Sequence, residues 1–326
     1  MIRVGLIGCG GIGAVHAECW LSMKERVQLV AVADKNEDRA KKYVDKSGGV
    51  AYRDGKELLD NEELDVVDIC LPTFLHAEYL EYAMERVKNV IVEKPVCLHK
   101  EEAQRLLNFE KKSGAFVMVA HVQRLTDPYV YLKNVVETGT YGRVVAGDFV
   151  RLSPRPTWMV GHDDVNRTGS MALDMHIHDV DYVRYLMNGE PDSIQVSSAK
   201  DKNGVIQHIW TTYKYGESIL MAEGSWNYAP DMPFEETFRV VLERATVVLD
   251  AGGKLKVYPE EGGIIEVEIG EREEMDMGIN VSDIGPFMRE IRYIIDTIET
   301  QNRENILTLS EAVSSVYLAM KEMEMA

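Results

Sequence analysis

Several things this 326-residue chain lacks narrow its reading before any motif is considered. No apolar run approaches the ~18–20 residues that span a bilayer, since Gly8 already interrupts the first hydrophobic stretch. Nothing at the N-terminus has the pattern of a signal peptide, so the sequence predicts a soluble, cytoplasmic protein without a membrane partner. Positive charge is scarce: 36 Lys and Arg stand against 54 Asp and Glu, a formal charge of −18. Such a surface repels nucleic acid and anionic lipid, and no basic stripe offsets it. The four cysteines, Cys9, Cys19, Cys70 and Cys97, have no CxxC spacing. That excludes a disulfide framework and a cysteine-rich metal site, and reads as small core residues in a reducing compartment. Internal repeats and low-complexity tracts are also missing. What is plentiful is apolar residues, 45% of the chain, enough at this length for two cores and therefore two domains.

The densest information lies between residues 3 and 34. Val4 to Ile7 is a short apolar run of the kind found in a buried parallel strand, and Gly8-Cys9-Gly10-Gly11-Ile12-Gly13 follows at once. Gly8 makes the tight turn, Gly10 keeps a Cβ away from a pyrophosphate, and Gly13 lets the next helix pack closely on the strand. Gly11 and Ile12 lie where that helix begins, and its free N–H groups face the phosphates. A second apolar run, Val27 to Ala33, ends at Asp34, 21 residues beyond Gly13. A carboxylate there accepts both ribose hydroxyls of NAD and repels a 2′-phosphate. Lys35 beside it softens that preference, so NAD is expected and NADP remains open.

Up to about residue 120 short apolar strands alternate with amphipathic helices: strands at 64–70, 89–92 and 116–120, helices at 37–46, 77–86 and 101–113. That alternation predicts a doubly wound α/β domain on a parallel sheet over residues 1–120. Afterwards the texture changes. Runs at 144–152, 193–199, 205–213, 217–224, 236–243, 245–250, 254–258 and 264–269 read as strands joined by short turns, and two helices, near 283–301 and 310–325, close the chain. Residues 121–326 therefore read as an α+β domain on an open, mostly antiparallel sheet.

Two clusters carry chemistry. Glu93-Lys94-Pro95 follows a strand and so sits at the carboxyl end of the sheet, where doubly wound folds bind ligands. A lysine there can favour the alkoxide that forms as hydride leaves an alcohol, and Pro95 invites a cis peptide or a rigid turn. The other reading of the motif is a surface turn. The second cluster is Asp174-Met175-His176-Ile177-His178-Asp179-Val180-Asp181. On a helix, Asp174 and His178 share a face four residues apart, which suits a carboxylate orienting an imidazole general base. His176 and Asp179 would point elsewhere. Two other readings stand beside it: acids gathered at a helix N-terminus, and a metal pair formed by His176 and His178, for which no further ligands are evident.

Together these motifs resemble the Gfo/Idh/MocA oxidoreductase family, the glucose–fructose oxidoreductase and inositol dehydrogenase group. The glycine fingerprint, Leu71-Pro72-Thr73-Phe74-Leu75-His76, Glu93-Lys94-Pro95 and the stretch from Gly169 to Asp181 follow the family's order and spacing over nearly the whole chain. The resemblance implies a Rossmann domain followed by a substrate and oligomerisation domain, whose open sheet forms homodimers or homotetramers. It implies that Lys94, Asp174 and His178 are catalytic, that Pro72, Thr73 and His76 lie beside the cofactor, and that Glu93 lies near the nicotinamide ribose. It also matches Arg124 to a segment where an arginine touches substrate or cofactor, against the alternative of a surface salt bridge. One departure is Ser170, which stands where the family has a second glycine before the Asp–His segment.

The implied reaction is oxidation of a secondary alcohol of a polyol, sugar or sugar derivative to a ketone, or the reverse, with NAD and without a metal. Residues 151–169 lead into the catalytic segment and are expected to discriminate substrates. Trp158 in that loop can stack on a sugar ring or anchor the loop, and His162, Asp163 and Asn166 can bind hydroxyls or cap the turn. Two other functions fit the same scaffold: a glycosidase that oxidises its substrate transiently and regenerates NAD, and a non-catalytic NAD-sensing regulator.

Overall fold

The computed structural model describes residues 1–155, 165–270 and 283–326, which form two compact units. Trp158, His162 and Asp163 fall outside the described residues, as does the side chain of Asn166.

The first unit comprises Met1–Val122 and the described residues of 272–314. Its sheet has strands β1 (Ile2–Ile7), β2 (Val27–Ala33), β3 (Val50–Tyr52), β4 (Val66–Ile69), β5 (Asn89–Glu93) and β6 (Phe116–Ala120). They run in the order β3-β2-β1-β4-β5-β6, all parallel. Helices cover both faces of such a sheet, so its central strands are mostly apolar rather than alternating. Val4, Leu6 and Ile7, Val66 and Val67, and Val90 to Val92 are accordingly buried. Connecting helices are α1 (Gly11–Ser22), α2 (Glu37–Ser47), α3 (Gly55–Asn61), α4 (His76–Met84) and α5 (Lys100–Ser113). Local chemistry sets their ends: Asn36 accepts from the Asp38 N–H to cap α2, Asp54 accepts from the Lys56 N–H to cap α3, and Gly48 and Gly114 close α2 and α5 with left-handed φ.

Strand order reverses between β1 and β4, which puts the loops after β1, β2, β4 and β5 at one edge, the usual ligand-binding edge of this topology. The loops carry Gly8–Gly13, Asp34, Leu71–Thr73 and Lys94 respectively. A segment distant in sequence completes the unit. The Val119 N–H donates to the Leu307 carbonyl at 2.8 Å, Met118 bridges to Thr308, and helix α9 (Gly285–Thr300) lies on α1.

The second unit comprises the described residues of 123–271 with Ser315–Ala326. Strands β7 (Val144–Pro154), β8 (Ser193–Lys200), β9 (Ile206–Tyr215), β10 (Ser218–Tyr228), β11 (Glu235–Leu242), β12 (Ala245–Leu249), β13 (Leu255–Pro259) and β14 (Ile265–Val267) form a sheet in the order β14-β13-β12-β11-β7-β10-β9-β8. Every pair is antiparallel except β7 with β10. Helices α6 (Asp127–Thr138), α7 (Val165–Thr168) and α8 (Ile177–Met187) belong to this unit, and α10 (Leu309–Met325) ends in it. Tyr129 on α6 and Tyr182 on α8 pack edge to face with ring centroids 4.6 Å apart, and Phe149 and Phe238 from the sheet join them.

Candidate active site

The glycine loop has the shape that its spacing predicts. Gly8 has φ 94°, and a Cβ there would sit 2.5 Å from the Cys70 carbonyl oxygen. A Cβ on Gly13 would sit 2.0 Å from the Gly8 carbonyl, so helix and strand meet there without room for a side chain. Gly10 differs: a Cβ built on it meets nothing within 4 Å. The backbone at Gly10 is thus open on the side where a pyrophosphate would lie, and the first turn of α1 has no acidic residue to compete for its N–H groups. Those features fit a dinucleotide. Asp34 accepts from the Cys9 N–H at 2.7 Å and from the Asn36 N–H at 2.8 Å, which fixes a carboxylate at the end of β2. The Cys9 thiol beside it is pushed up to about 12 by burial and by Asp34, so it stays a thiol. All four cysteines are buried, and none forms a disulfide.

At the end of β5, every residue from Val90 to Leu98 is buried except Lys94, which is half-buried. The Lys94–Pro95 peptide is cis. The Lys94 backbone N–H donates to Glu93 Oε2 at 3.1 Å, and Glu93 Oε1 lies 3.1 Å from His16 Nε2. Pro72 is exposed and Thr73 half-buried in the loop after β4, while His76 is buried with ring nitrogens 2.8 Å from the Pro95 carbonyl and 2.7 Å from the Leu71 carbonyl. Burial holds the His76 imidazole below its usual range. With both nitrogens facing backbone oxygens, His76 braces the loops after β4 and β5 and offers no nitrogen to a cofactor.

The acidic and histidine cluster of the second unit resolves into two groups. Ala172–His176 is a π-helical turn leading into α8, not the α-helix that the i, i+4 reading assumes. Such turns are frequent at functional sites. From Met171 to Arg184 every residue is buried except Asp174 and His178, both half-buried. The remaining polar members are held internally. His176 Nε2 lies 2.9 Å from Glu322, which also accepts from the Thr211 and Tyr213 hydroxyls. Asp179 receives Nε and an Nη of Arg151 at 2.8 and 3.1 Å, and Arg151 also reaches Glu236 at 2.9 Å. Asp181 receives Nε and an Nη of Arg124 at 2.8 and 2.7 Å and the Ser315 hydroxyl at 2.7 Å. These bidentate pairs fix α8 against the sheet and the start of the unit.

Arg124 is therefore an internal ion pair rather than a surface one. At 2% exposure, with its guanidinium also over the Tyr185 ring, it has no surface with which to meet a substrate. His176 cannot share a metal with His178 in this arrangement: Nε2 is committed to Glu322, and Nδ1 faces Gly224 so closely that a Cβ there would come within 2.8 Å. Ser170, at the position of the missing glycine, has φ 63°, so the loop keeps the left-handed conformation that a glycine would adopt freely.

Sequence reading missed one cluster in the first unit. His16, Asp68 and Cys70 are buried with their polar atoms within 4.8 Å of one another. Asp68 Oδ2 contacts His16 Nδ1 at 2.9 Å and accepts from Trp20 Nε1 at 2.8 Å, so hydrogen bonds within the cluster account for this carboxylate. Its signal was present as an acid inside the apolar run 64–70 and a histidine on the buried side of the first helix.

Comparison with known proteins agrees with this architecture. Residues 2–121 match the model of an oxidoreductase family with an NAD-binding Rossmann fold, Gfo/Idh/MocA, and residues 129–248 match the C-terminal domain model of the same family. The chain is 32% identical over 194 residues to myo-inositol 2-dehydrogenase of Thermotoga maritima, a match covering 59% of this chain and 57% of the relative. It is 30% identical over 198 residues to inositol 2-dehydrogenase of Rhizobium meliloti, covering 61% and 58%. The matched part thus spans less than two thirds of these relatives. Among solved structures, levoglucosan dehydrogenase in complex with NADH and levoglucosan superposes with a TM-score of 0.87 at 20% identity, covering 100% of this chain and 97% of the other. UDP-N-acetylglucosamine 3-dehydrogenase from Acidithiobacillus ferrooxidans gives 0.82, also at 20% identity, covering 100% and 97%. At that identity the likeness is one of fold. Among the described residues, no helix is long and apolar enough to cross a membrane.

Proposed function

The chain belongs to the Gfo/Idh/MocA oxidoreductase family, and from that premise we propose that it is an NAD-dependent dehydrogenase interconverting a secondary alcohol and a ketone on a polyol, sugar or sugar derivative. One observation carries the reading. In two otherwise buried segments, Val90–Leu98 and Met171–Arg184, the side chains left half-exposed are Lys94, Asp174 and His178, a cation, an acid and an imidazole, the three residues for which the resemblance implies catalytic roles.

NAD, when bound, supplies the hydride acceptor. Lys94 places positive charge where the alcohol oxygen becomes an alkoxide. His178 takes the hydroxyl proton, and Asp174 holds the imidazole in the orientation that allows it. In the reductive direction the same groups return the proton. The relatives' inositol substrates and the sugar-derived substrates named for the structural neighbours favour a polyhydroxylated ring. Asp34 at the end of β2 favours NAD over NADP, because its charge opposes a 2′-phosphate.

The test is a screen of polyols, aldoses and nucleotide sugars with NAD⁺ and separately NADP⁺, following absorbance of the reduced cofactor. Lys94→Ala and His178→Ala are each expected to lose about 10²–10⁴-fold in turnover while still binding NAD⁺. Wild-type turnover in either variant would remove that residue from the mechanism. We further propose that a second copy of the chain covers the open face of the eight-stranded sheet, giving a homodimer or homotetramer. Support comes from a cross-strand row on that face, Ile219, Ala146, Val241, Thr246 and Tyr258, in which Ile219 is 47% and Val241 and Tyr258 are each 40% exposed.

A further inference from the structure

We infer that His16 is a positioning residue: held as an imidazolium between Asp68 and Glu93, it fixes the Glu93 carboxylate and, through it, the peptide that carries Lys94. The inference rests on the proposed role of Lys94 and explains what keeps that lysine's backbone in register with the sheet edge.

The geometry is a chain of contacts across two strands, β4 and β5, and one helix, α1, of one unit. Asp68 on β4 is fully buried, and its Oδ2 contacts both Trp20 and His16 of α1. The other nitrogen of His16 lies 3.1 Å from Glu93 Oε1 at the end of β5, an ion-pair contact rather than an aligned hydrogen bond. The second oxygen of Glu93 accepts the Lys94 N–H. A neutral imidazole has one N–H and one lone pair. Between two carboxylates the lone pair of a neutral ring would oppose an oxygen at about 3 Å, whereas an imidazolium hydrogen-bonds Asp68 and meets Glu93 as an ion pair. Charge balance points the same way. Two buried carboxylates without a cation would cost several kcal/mol of desolvation each, at order of magnitude, and His16 is the cation in contact with both.

The groups facing His16 are Asp68 and Cys70 from β4 and its following residue, Glu93 from β5, and Glu290 and the Phe287 ring from α9. Burial opposes charge on the ring, while Cys70 and Asp68 favour it, and the balance raises its proton affinity well above the usual value. Cys70 is itself pushed well above its ordinary range by burial and by Asp68. Asp68 is correspondingly held below the usual carboxylate range: burial opposes this, and His16 and Trp20 outweigh it. Burial pushes Glu290 well up, so it adds no third negative charge.

The experiment combines histidine-selective ¹⁵N NMR with amide exchange and kinetics on the full chain. In the wild type both ring nitrogens of His16, assigned through the contact of its ring with Phe287, are expected to remain protonated at pH 8; a neutral tautomer there overturns the inference, and this arm needs no variant. In His16→Asn and in His16→Gln, exchange protection of the Lys94 amide is expected to fall at least tenfold, and unchanged protection overturns it. With a substrate from the screen, kcat is expected to fall by about 10–100-fold with the Kd for NAD⁺ within threefold of wild type; an effect confined to NAD⁺ affinity overturns it. If the screen finds no dehydrogenase turnover in the wild type, the proposed reaction fails, while the two NMR arms still decide the state and reach of His16.

Discussion

Glu290 shows how far a single side chain can depart from its type. It sits on the buried face of α9, fully enclosed, and both carboxyl oxygens lack a hydrogen-bond partner. Its neighbours by charge are His16, Glu93 and Asp68, and burial raises its proton affinity well above the usual carboxylate range. An acid whose folded value is raised binds more protons in the folded state than in the unfolded one, so stability falls as pH rises past the ordinary carboxylate value near ~4.3 and keeps falling toward the folded value. Glu290→Gln removes that proton linkage. Chemical denaturation of the two proteins across pH 5 to 8 should give the wild type a steeper loss of stability by up to about 1.4 kcal/mol per pH unit, and parallel curves would mean that Glu290 is ionised as folded. Residues such as Gly8, Gly13 and Lys94 were legible from type and spacing alone, because backbone geometry leaves few alternatives to glycine and few cations follow a buried strand. Glu290, His16 and Asp68 were not, because an acid or histidine in an apolar segment signals burial without revealing which partner it meets.

Among elements, the segment from Gly169 into α8 shows both what pattern carries and what it omits. Its cluster of acids and histidines is visible in sequence, but the π-helical turn over Ala172–His176 is not, since that extra residue per turn is imposed by packing against β10, where Gly224 admits the His176 ring. The same is true of the pairing partners that claim His176, Asp179 and Asp181 and leave Asp174 and His178 half-exposed. Ser170 enters this segment in a left-handed conformation, and its buried hydroxyl has no hydrogen-bond partner. A left-handed non-glycine residue costs roughly 1–2 kcal/mol, partly offset in the unfolded chain when glycine replaces it. Ser170→Gly is therefore expected to stabilise the protein by about 0.5–1 kcal/mol, read as a higher urea midpoint; a lower midpoint would show that the serine contributes more than its backbone costs. Most strands were legible from their apolar runs. The three-residue β3 and the helix α3 were not read at all: so short a strand has no period to detect, and it exists because β2 offers it a pairing edge.

For the whole molecule, the open face of the second sheet carries a prediction of its own. Sedimentation should show the wild type as a dimer or tetramer, and Ile219→Asp, which puts charge in the middle of the apolar row, should shift it toward monomer; a monomeric wild type at micromolar concentration would exclude pairing through this face. By itself the sequence determined the alternation of strand and helix in the parallel unit apart from β3 and α3, the glycine loop, the acid closing β2, the lysine closing β5 and the sheet-rich character of the rest. These are local matters of period, turn chemistry and spacing, and neighbours along the chain suffice to specify them. Only the tertiary structure decided that α9 and residues 307–308 return to the first unit, that Arg124 is locked inside the second, and that His16 stands between two carboxylates. Each of those depends on residues far apart in sequence meeting in space, where burial and charge balance, rather than propensity, select the partner.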